Sequence, residues 1–273
     1  MESDKPSGRR KDQWAVILGA SSGFGAATAV ELAQRGFHIF GVHLDRKNTL
    51  PNVEQVVSKI KGMKREAVFF NVNAADPEKR REVLDRIETQ LGNTPESAKV
   101  HVLLHSLAFG TLKPFVAKSA EDTISQAQME MTQDVMANSL VYWTQDLVRR
   151  QFLQRGARIF AMTSAGGQRV WPTYGAVSAA KAALESHVRQ LALELGPLGI
   201  TINAIRAGVT DTPALRKIPG HELMIEMASK RNPSGRLTTP EDVAAMIGIL
   251  SDPLSQWTTG NVIGVDGGEF IVD

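Results

Sequence analysis

The sequence contains no cysteine, and this absence excludes disulfides, thiolate nucleophiles and cysteine–metal centres together. It is compatible with a reducing compartment, so a cytoplasmic location is expected. No apolar run approaches the roughly 18 residues that a membrane-spanning helix needs, and no membrane association is predicted. The six histidines do not cluster at the spacing of metal ligands, so no metal site is predicted.

The net charge is also small, because 31 Lys and Arg against 29 Asp and Glu leave a formal charge of only +2. This balance gives no support for a nucleic-acid partner. Residues 1–12 are polar and lack an apolar signal core, which predicts a loose N-terminal arm. The remaining residues, 13–273, contain no linker or repeat and are enough for one large domain.

What the sequence does contain is an alternation of short apolar runs with longer helical stretches. The seven runs are WAVILG, HIFGVH, EAVFFNV, VHVLLHS, ARIFAMTS, ITINAI and NVIGVD. Helices are predicted at about Gly23–Arg35, after Pro51, Pro77 and Pro240, around 121–153, around 175–195, and before Arg231. Continuous apolar strands between helices indicate a parallel sheet buried on both faces. The predicted fold is therefore a single-domain, doubly wound, Rossmann-like α/β sheet of about seven strands with helices on both faces.

A glycine-rich loop follows the first strand, in the segment LGASSGFGAATAVELAQRG. Glycines there allow a sharp turn, a close approach of the backbone to a pyrophosphate, and tight packing of the following helix. Backbone N–H groups and the helix dipole would then face the phosphates. The residues predicted to bind a dinucleotide here are Gly19, Ser21, Ser22, Gly23, Phe24 and Gly25.

The second strand should end at His43, where folds of this kind read the adenosine ribose. Asp45 lies twenty residues after Gly25, a spacing typical of NAD binding. Arg46 and Lys47 follow it and could meet the 2′-phosphate of NADPH, with Asp45 as their ion-pair partner. A solvated charge run is the alternative. The sequence favours NADPH, with NADH possible.

The segment TYGAVSAAKAAL carries Tyr174 and Lys181 seven positions apart. Seven helical steps turn about 700°, so both side chains return to one face, roughly 10 Å apart along the axis. Because Tyr174 closely follows Pro172, we expect it at the entrance of the helix. From there Tyr174 could reach a substrate while Lys181 reaches the cofactor.

From about Trp14 to Asp273 the sequence resembles the short-chain dehydrogenase/reductase superfamily. The resemblance is carried by GASSGFG, NVNAAD, HSLAFG, MANSLVYW, MTSAGG, YGAVSAAKAALE, NAIRAGVTDT and GNVIGVDGG. Ordinary ketoreductases place tyrosine four residues before lysine, whereas Val177 stands there in this chain. The Tyr174–Lys181 spacing and HSLAFG instead resemble the enoyl-acyl carrier protein reductases. AGVTDTPALRKIPG is similar to the variant members of that group that use NADPH.

The resemblance implies reduction of the carbon–carbon double bond of a trans-2-enoyl thioester in fatty-acid synthesis, with acyl carrier protein or coenzyme A as the thiol carrier. It implies that Tyr174 and Lys181 are catalytic. Many enoyl reductases have a second tyrosine where this chain has Ser164, so Ser164 either binds the thioester carbonyl or shapes the strand end. Asn138 matches a structural or relay asparagine of the superfamily, with a buried helix-bending amide as the alternative.

Further cofactor contacts are implied beyond the strand ends: Asn71 and Val72 near adenine, Ser106 and Ala108 along the cleft, and Gly208, Thr210 and Thr212 near the carboxamide and phosphates. Residues around 210–232 are expected to form a substrate lid, because methionine adapts to varied acyl shapes. The lid's apolar residues are Leu223, Met224, Ile225 and Met227. An amphipathic helix packed on the core is the alternative.

Two helical segments, MANSLVYWTQDLVRRQFL and AALESHVRQLALEL, carry apolar residues on more than one side. This pattern fits the homotetramer that is common in the superfamily. A dienoyl thioester reductase is a further enzymatic variant, and two other functions remain open. A ketoreductase for 3-oxoacyl thioesters or hydroxysteroid-type substrates would share the fold, and a non-catalytic nucleotide sensor would not need both Tyr174 and Lys181.

Overall fold

The computed structural model describes residues 13–94 and 98–272, so the predicted arm at 1–12 lies outside the described residues. The strands are β1 Gln13–Leu18, β2 His38–His43, β3 Ala67–Asn71, β4 Lys99–His105, β5 Leu153–Ser164, β6 Thr201–Ala207 and β7 Val262–Val265. They form one parallel sheet in the order β3-β2-β1-β4-β5-β6-β7. The predicted seven-stranded, doubly wound fold is confirmed.

Helices cover both faces of this sheet. They are α1 Gly23–Gln34, α2 Leu50–Gly62, α3 Pro77–Gly92, α4 Gln126–Gln133, α5 Ser139–Arg149, α6 Gly175–Leu195, α7 His221–Arg231 and α8 Pro240–Leu250. One face packs against α3, α5 and α6, and the other against α1, α2 and α8. Each face therefore has its own hydrophobic core, as a sheet between two helical layers requires.

Strand β1 shows why the central strands are apolar throughout. Trp14, Val16 and Leu18 point into the core beside α3, α5 and α6. Ala15 and Ile17 point into the opposite core. All five are fully buried, because successive side chains of a strand alternate between two faces that are both covered.

The helix predicted around residues 121–153 is wrong at both ends. Helix α4 begins only after Ser125, whose hydroxyl accepts a hydrogen bond from the N–H of Gln128 while the Gln128 side chain accepts one from the N–H of Ser125. A π-helical turn at Asp134–Asn138 separates α4 from α5. After α5, Gln151 adopts a left-handed φ of 58° and turns the chain into β5. Apolar periodicity does not reveal a cap, a π turn or a left-handed residue.

The carboxyl ends of β1 and β4 meet where the order of the strands reverses direction. The N–H of Gly19 donates to the carbonyl of Val42, and the N–H of Ser106 donates to the carbonyl of Leu18. These bonds draw the glycine loop and the segment after β4 to one edge of the sheet. In open α/β sheets, ligands bind at this reversal point.

Glycine at position 25 is required by close packing inside the loop, which gives a test of the fold. A β-carbon on Gly25 would lie 2.0 Å from the carbonyl oxygen of Gly19, which is backbone and cannot move aside cheaply. We expect Gly25→Ala to lower the free energy of unfolding by about 2 kcal/mol, as overpacking typically does.

The matched control is Gly92→Ala, because a β-carbon there meets nothing within 4 Å. It should leave stability unchanged or raise it by about 0.5 kcal/mol. Chemical denaturation of both variants provides the measurement, and equal stability of the two would contradict the described loop packing.

Candidate active site

A cavity of about 670 Å³ opens at the carboxyl ends of β4, β5 and β6. Its wall is mostly apolar, and its polar side chains include Ser164, Tyr174 and Lys181 in the β5–α6 region and Glu269 in the C-terminal segment. A largely apolar cavity with a few convergent polar groups is the usual form of a small-molecule site. Nine of the predicted site residues line it: Phe24, Ser106, Ala108, Ser164, Tyr174, Lys181, Gly208, Thr210 and Thr212.

Tyr174 lies immediately before the first residue of α6, as the sequence predicts. The preceding residue, Thr173, has a left-handed φ of 65°, which is uncommon for a β-branched residue. The Tyr174 ring packs against Gly166, where a β-carbon would lie 2.4 Å from the ring. The turn and Gly166 together direct the phenol into the cavity.

The phenol of Tyr174 remains protonated at neutral pH. Burial raises its pKa, and the contact with the Ser164 hydroxyl opposes that effect without outweighing it. A neutral phenol is a hydrogen-bond donor. Among the described residues, the buried Ser164 hydroxyl has no hydrogen-bond partner of normal geometry, so it is available to a ligand.

Lys181 is only 6% exposed and lies seven positions, or nearly two helical turns, after Tyr174. Its ammonium donates to the carbonyl oxygen of Met162 on β5, at 2.6 Å. Burial lowers the pKa of Lys181 to about 8, and Glu185 acts in the opposite direction. Lys181 is therefore mostly charged at neutral pH and loses its proton in the mildly alkaline range.

Asn138 is the predicted catalytic residue that the structure places away from the cavity wall. It closes the π-helical turn before α5, and its amide oxygen lies 3.2 Å from Nε2 of His187 on α6. The neighbouring cavity-lining residue of this turn is Met136. The π turn thus directs Met136 toward the cavity and Asn138 toward α6. A relay role for Asn138 stays a prediction.

The glycine loop fits a pyrophosphate. Ser22 precedes α1, but its side chain makes no capping hydrogen bond, and the first turn of α1 holds no acidic residue. The backbone N–H groups there are accordingly available to an anion. Thr212 approaches the same loop, because a β-carbon on Gly23 would lie 3.4 Å from its methyl group.

After β2, where the adenosine ribose is predicted to bind, Asp45 interacts with His43 rather than with the neighbouring cations. Nδ1 of His43 lies 2.9 Å from the Asp45 carboxylate. Burial raises the pKa of this carboxyl, but hydrogen bonds from Thr49, Ser21 and His43 outweigh that effect and hold it below the usual value. The expectation that Asp45 pairs with Arg46 and Lys47 is wrong, because the carboxylate turns toward the glycine loop. Both cations are exposed.

Asn71 and Val72, the predicted adenine contacts, are held beside this group. The Asn71 amide pairs with the backbone of Asp45 in both directions, at 2.9 and 3.0 Å. The N–H of Val72 donates to the carbonyl of His43. The ends of β2 and β3 therefore form one small polar surface next to Ser21.

Several cavity residues escaped the sequence analysis. Most are apolar side chains whose direction depends on the fold: Phe109, Leu112, Met136 and Val177. Glu269 is the unexpected acidic residue, only 5% exposed. Its carboxylate accepts a hydrogen bond from the N–H of Val209, and burial raises its pKa. No motif marked it, because its burial results from the fold of the C-terminal segment.

The predicted lid forms an irregular segment followed by α7. Met224 and Met227 line the cavity, whereas Leu223 and Ile225 do not. The Trp171 indole donates to the carbonyl of Pro219, at 3.0 Å, and ties this segment to the turn before α6. Closure over a substrate stays a prediction.

Metal-ligand clusters and membrane-spanning helices are both absent from residues 13–94 and 98–272. No three His, Asp or Glu side chains there come close enough together to hold a metal ion. No helix in the same part of the chain has the length and apolar character to cross a bilayer.

Comparison with known proteins places this site in a family. Residues 19–269 match the family model described as enoyl-(acyl carrier protein) reductase. The chain therefore belongs to this family of the short-chain dehydrogenase/reductase superfamily and is an oxidoreductase.

Two curated relatives are similar over nearly their whole length. An NADPH-dependent aldehyde reductase-like protein of Arabidopsis thaliana is 28% identical, over 93% of each chain. The 3-oxoacyl-[acyl-carrier-protein] reductase of Thermotoga maritima is also 28% identical, over 94% of this chain and 97% of its own. Among solved structures, the enoyl-[acyl-carrier-protein] reductase (NADH) of Aquifex aeolicus has a TM-score of 0.82 and 26% identity, with 97% and 99% of the two chains covered.

The geometry of Lys181 generates a prediction for cofactor binding. We expect Lys181→Ala to weaken binding of NADH and NADPH about tenfold or more, because it removes a charged hydrogen-bond donor. In the wild type, affinity should be highest below pH 8 and fall as the pH rises through about 8, since the ammonium then loses its proton. Fluorescence titration between pH 6.5 and 9.5 measures both effects.

Lys181→Arg should recover part of the affinity and remove the alkaline loss, because a guanidinium stays charged. Lys59→Ala, an exposed change on α2, is the control and should have no effect. Normal cofactor binding by Lys181→Ala, combined with lost catalysis and a shifted pH–rate profile, would indicate a proton relay of the ketoreductase kind instead.

Proposed function

We propose that this protein reduces the carbon–carbon double bond of trans-2-enoyl thioesters, with a nicotinamide cofactor as the hydride donor. The observation that carries the proposal is the neutral phenol of Tyr174 at the entrance of α6, facing an apolar cavity, with Lys181 seven positions later on the same helix. Membership of the enoyl reductase family and the likeness to the Aquifex structure support it.

Three polar side chains of the cavity have a part in this reaction. The bound cofactor would supply a hydride for the β-carbon of the substrate. Negative charge then develops on the thioester oxygen, where Tyr174 donates a hydrogen bond and the free hydroxyl of Ser164 can donate a second. Losing one such donor typically costs about 10²–10³ in rate. Lys181 binds the cofactor ribose, and a proton from solvent completes the α-carbon.

The second candidate is a ketoreductase, and one observation favours it. Ser164 contacts the Tyr174 phenol, as a pair that polarises a carbonyl would. The Thermotoga relative is named for that reaction. A ketone, however, must receive the tyrosine's proton, and the raised pKa of Tyr174 opposes its release. An enoyl thioester needs only a hydrogen bond, so the same pKa suits it better.

Adjacent residues at the proposed adenosine site favour different cofactors. Asp45, turned toward Ser21, supports NADH, because a carboxylate can accept a hydrogen bond from the ribose 2′-hydroxyl. Arg46 and Lys47 lie next to it and support NADPH, because exposed cations can turn to a 2′-phosphate. We propose that both cofactors bind and that NADPH depends on the two cations.

The assembly and setting follow from the same proposal. The substrate is carried by acyl carrier protein or coenzyme A, and the protein acts in the cytoplasm as a homotetramer. Exposed Leu193 on α6, together with Ile249 on α8, is compatible with burial between subunits.

Tyr174→Phe tests the chemistry, because it removes only the hydroxyl. It should keep cofactor affinity and reduce the turnover of crotonyl thioester about 100-fold or more. The wild type should reduce crotonyl thioester much faster than acetoacetyl thioester. Tyr142→Phe is the matched control, because Tyr142 is the other of the two tyrosines and does not line the cavity.

Faster reduction of the acetoacetyl substrate would favour the ketoreductase. Full turnover by folded Tyr174→Phe would remove Tyr174 from both mechanisms.

Charge changes at the adenosine end test the cofactor proposal. Replacing Arg46 and Lys47 together with Ala should raise the NADPH dissociation constant about tenfold and leave that of NADH unchanged, because only NADPH carries the 2′-phosphate. Asp45→Asn should weaken NADH more than NADPH. The exposed pair Lys59 and Lys61 on α2, both changed to Ala, is the control. Equal effects on both cofactors would identify the Arg46–Lys47 pair as a solvated surface only.

A further inference from the structure

Three consecutive residues at the end of β5 each contact a different polar side chain of the α6 region. The carbonyl of Met162 accepts from Lys181, and the hydroxyl of Ser164 contacts Tyr174. Between them, the hydroxyl of Thr163 donates to the carboxylate of Glu185, at 2.7 Å. The proposed reaction uses Lys181, Tyr174 and Ser164. It gives no role to the contact between Thr163 and Glu185.

Glu185 is a buried acidic residue one helical turn beyond the buried Lys181 on α6. It is 7% exposed, and Lys181, four residues earlier on α6, is 6% exposed. Residues four apart lie on the same helix face. Gly167 packs over both side chains, since a β-carbon there would lie 3.4 Å from the carboxylate of Glu185 and 3.6 Å from Cβ of Lys181. Burying either charge alone would be costly, whereas burying them together offsets much of that cost.

We propose that Glu185 is a positioning residue that keeps Lys181 charged for cofactor binding, and that Thr163 holds the Glu185 carboxylate in place. The inference rests on the proposed role of Lys181 in binding the ribose. Glu185 itself does not line the cavity and would not touch cofactor or substrate.

The other titratable groups around Lys181 cannot supply the same negative charge. His105 on β4 is buried and hydrogen-bonded to Ser139, and burial lowers its pKa to about 3, so it is neutral. Tyr174 is a neutral phenol. The contacting residues of β5, Met162 to Ser164, are not ionisable near neutral pH. Among the described groups, Glu185 is the one that raises the pKa of Lys181.

Glu185→Gln tests the proposal, because it removes the charge while its amide oxygen can still accept from Thr163. NADH and NADPH titrations from pH 6.5 to 9.5 should show the alkaline loss of affinity shifted about one unit lower, the size expected for one close charge. Such a shift weakens binding about eightfold at pH 8.5 and less than twofold at pH 6.5. Glu185→Asp keeps the charge and should restore at least part of the wild-type profile.

Glu194→Gln is the matched control, since it makes the same change at an exposed position of α6 and should shift nothing. A merely structural Glu185 predicts weaker binding by the same factor at every pH, and that result overturns the proposal. If Glu185→Gln does not fold, Thr163→Val keeps the charge but releases the carboxylate. It should then give a smaller shift in the same direction, and no shift would overturn the proposal.

Lys181→Ala separates this proposal from the proposed function. If it binds both cofactors as the wild type does, the role of Lys181 is wrong and Glu185 has nothing to support. If Lys181→Ala loses the alkaline dependence while Glu185→Gln leaves it in place, only the role of Glu185 is wrong.

Discussion

The hydrogen bond from Lys181 to the carbonyl of Met162 is the constraint on which the proposed site depends. It joins a helix of the outer layer to a central strand, and so holds the Lys181 ammonium at the end of β5. Once Lys181 faces the strand end, a residue seven positions earlier must lie on the same side of the helix. The left-handed turn at Thr173, which costs about 1 kcal/mol or more, then positions Tyr174 outside the helix, over the cavity.

The sequence predicts the fold well because the apolar strand runs and the helical periodicity are both local signals. The apolar run of β1 needs two covered faces, and the structure covers both, with Trp14 in one core and Ile17 in the other. The helix boundaries around 121–153 could not be predicted in the same way. They depend on a side-chain pair at Ser125 and Gln128 and on a left-handed Gln151, which interrupt an otherwise helical pattern.

The candidate site could be predicted only where the chain itself determines the geometry. Tyr174 stands at the entrance of the helix that carries Lys181, so their spacing was enough to relate them. Asp45 was misjudged because several donors compete for its carboxylate, and the hydroxyls of Thr49 and Ser21 and the ring of His43 reach it in place of Arg46 and Lys47. Glu185 and Glu269 could not be found at all, since each becomes meaningful only when a distant strand end or loop reaches it.

Burial beside the cavity has opposite consequences for Tyr174 and Lys181. Burial favours the neutral form of any ionisable group, so it raises the pKa of Tyr174 and lowers that of Lys181. An enolate needs a hydrogen-bond donor, and burial keeps the Tyr174 phenol in its neutral, donating form. A neutral amine binds the ribose hydroxyls more weakly, so burial opposes the proposed role of Lys181. A protein that buries both groups together needs an anion near the lysine and none near the tyrosine. Glu185 meets that requirement, because α6 holds it one turn beyond Lys181, on the side away from Tyr174.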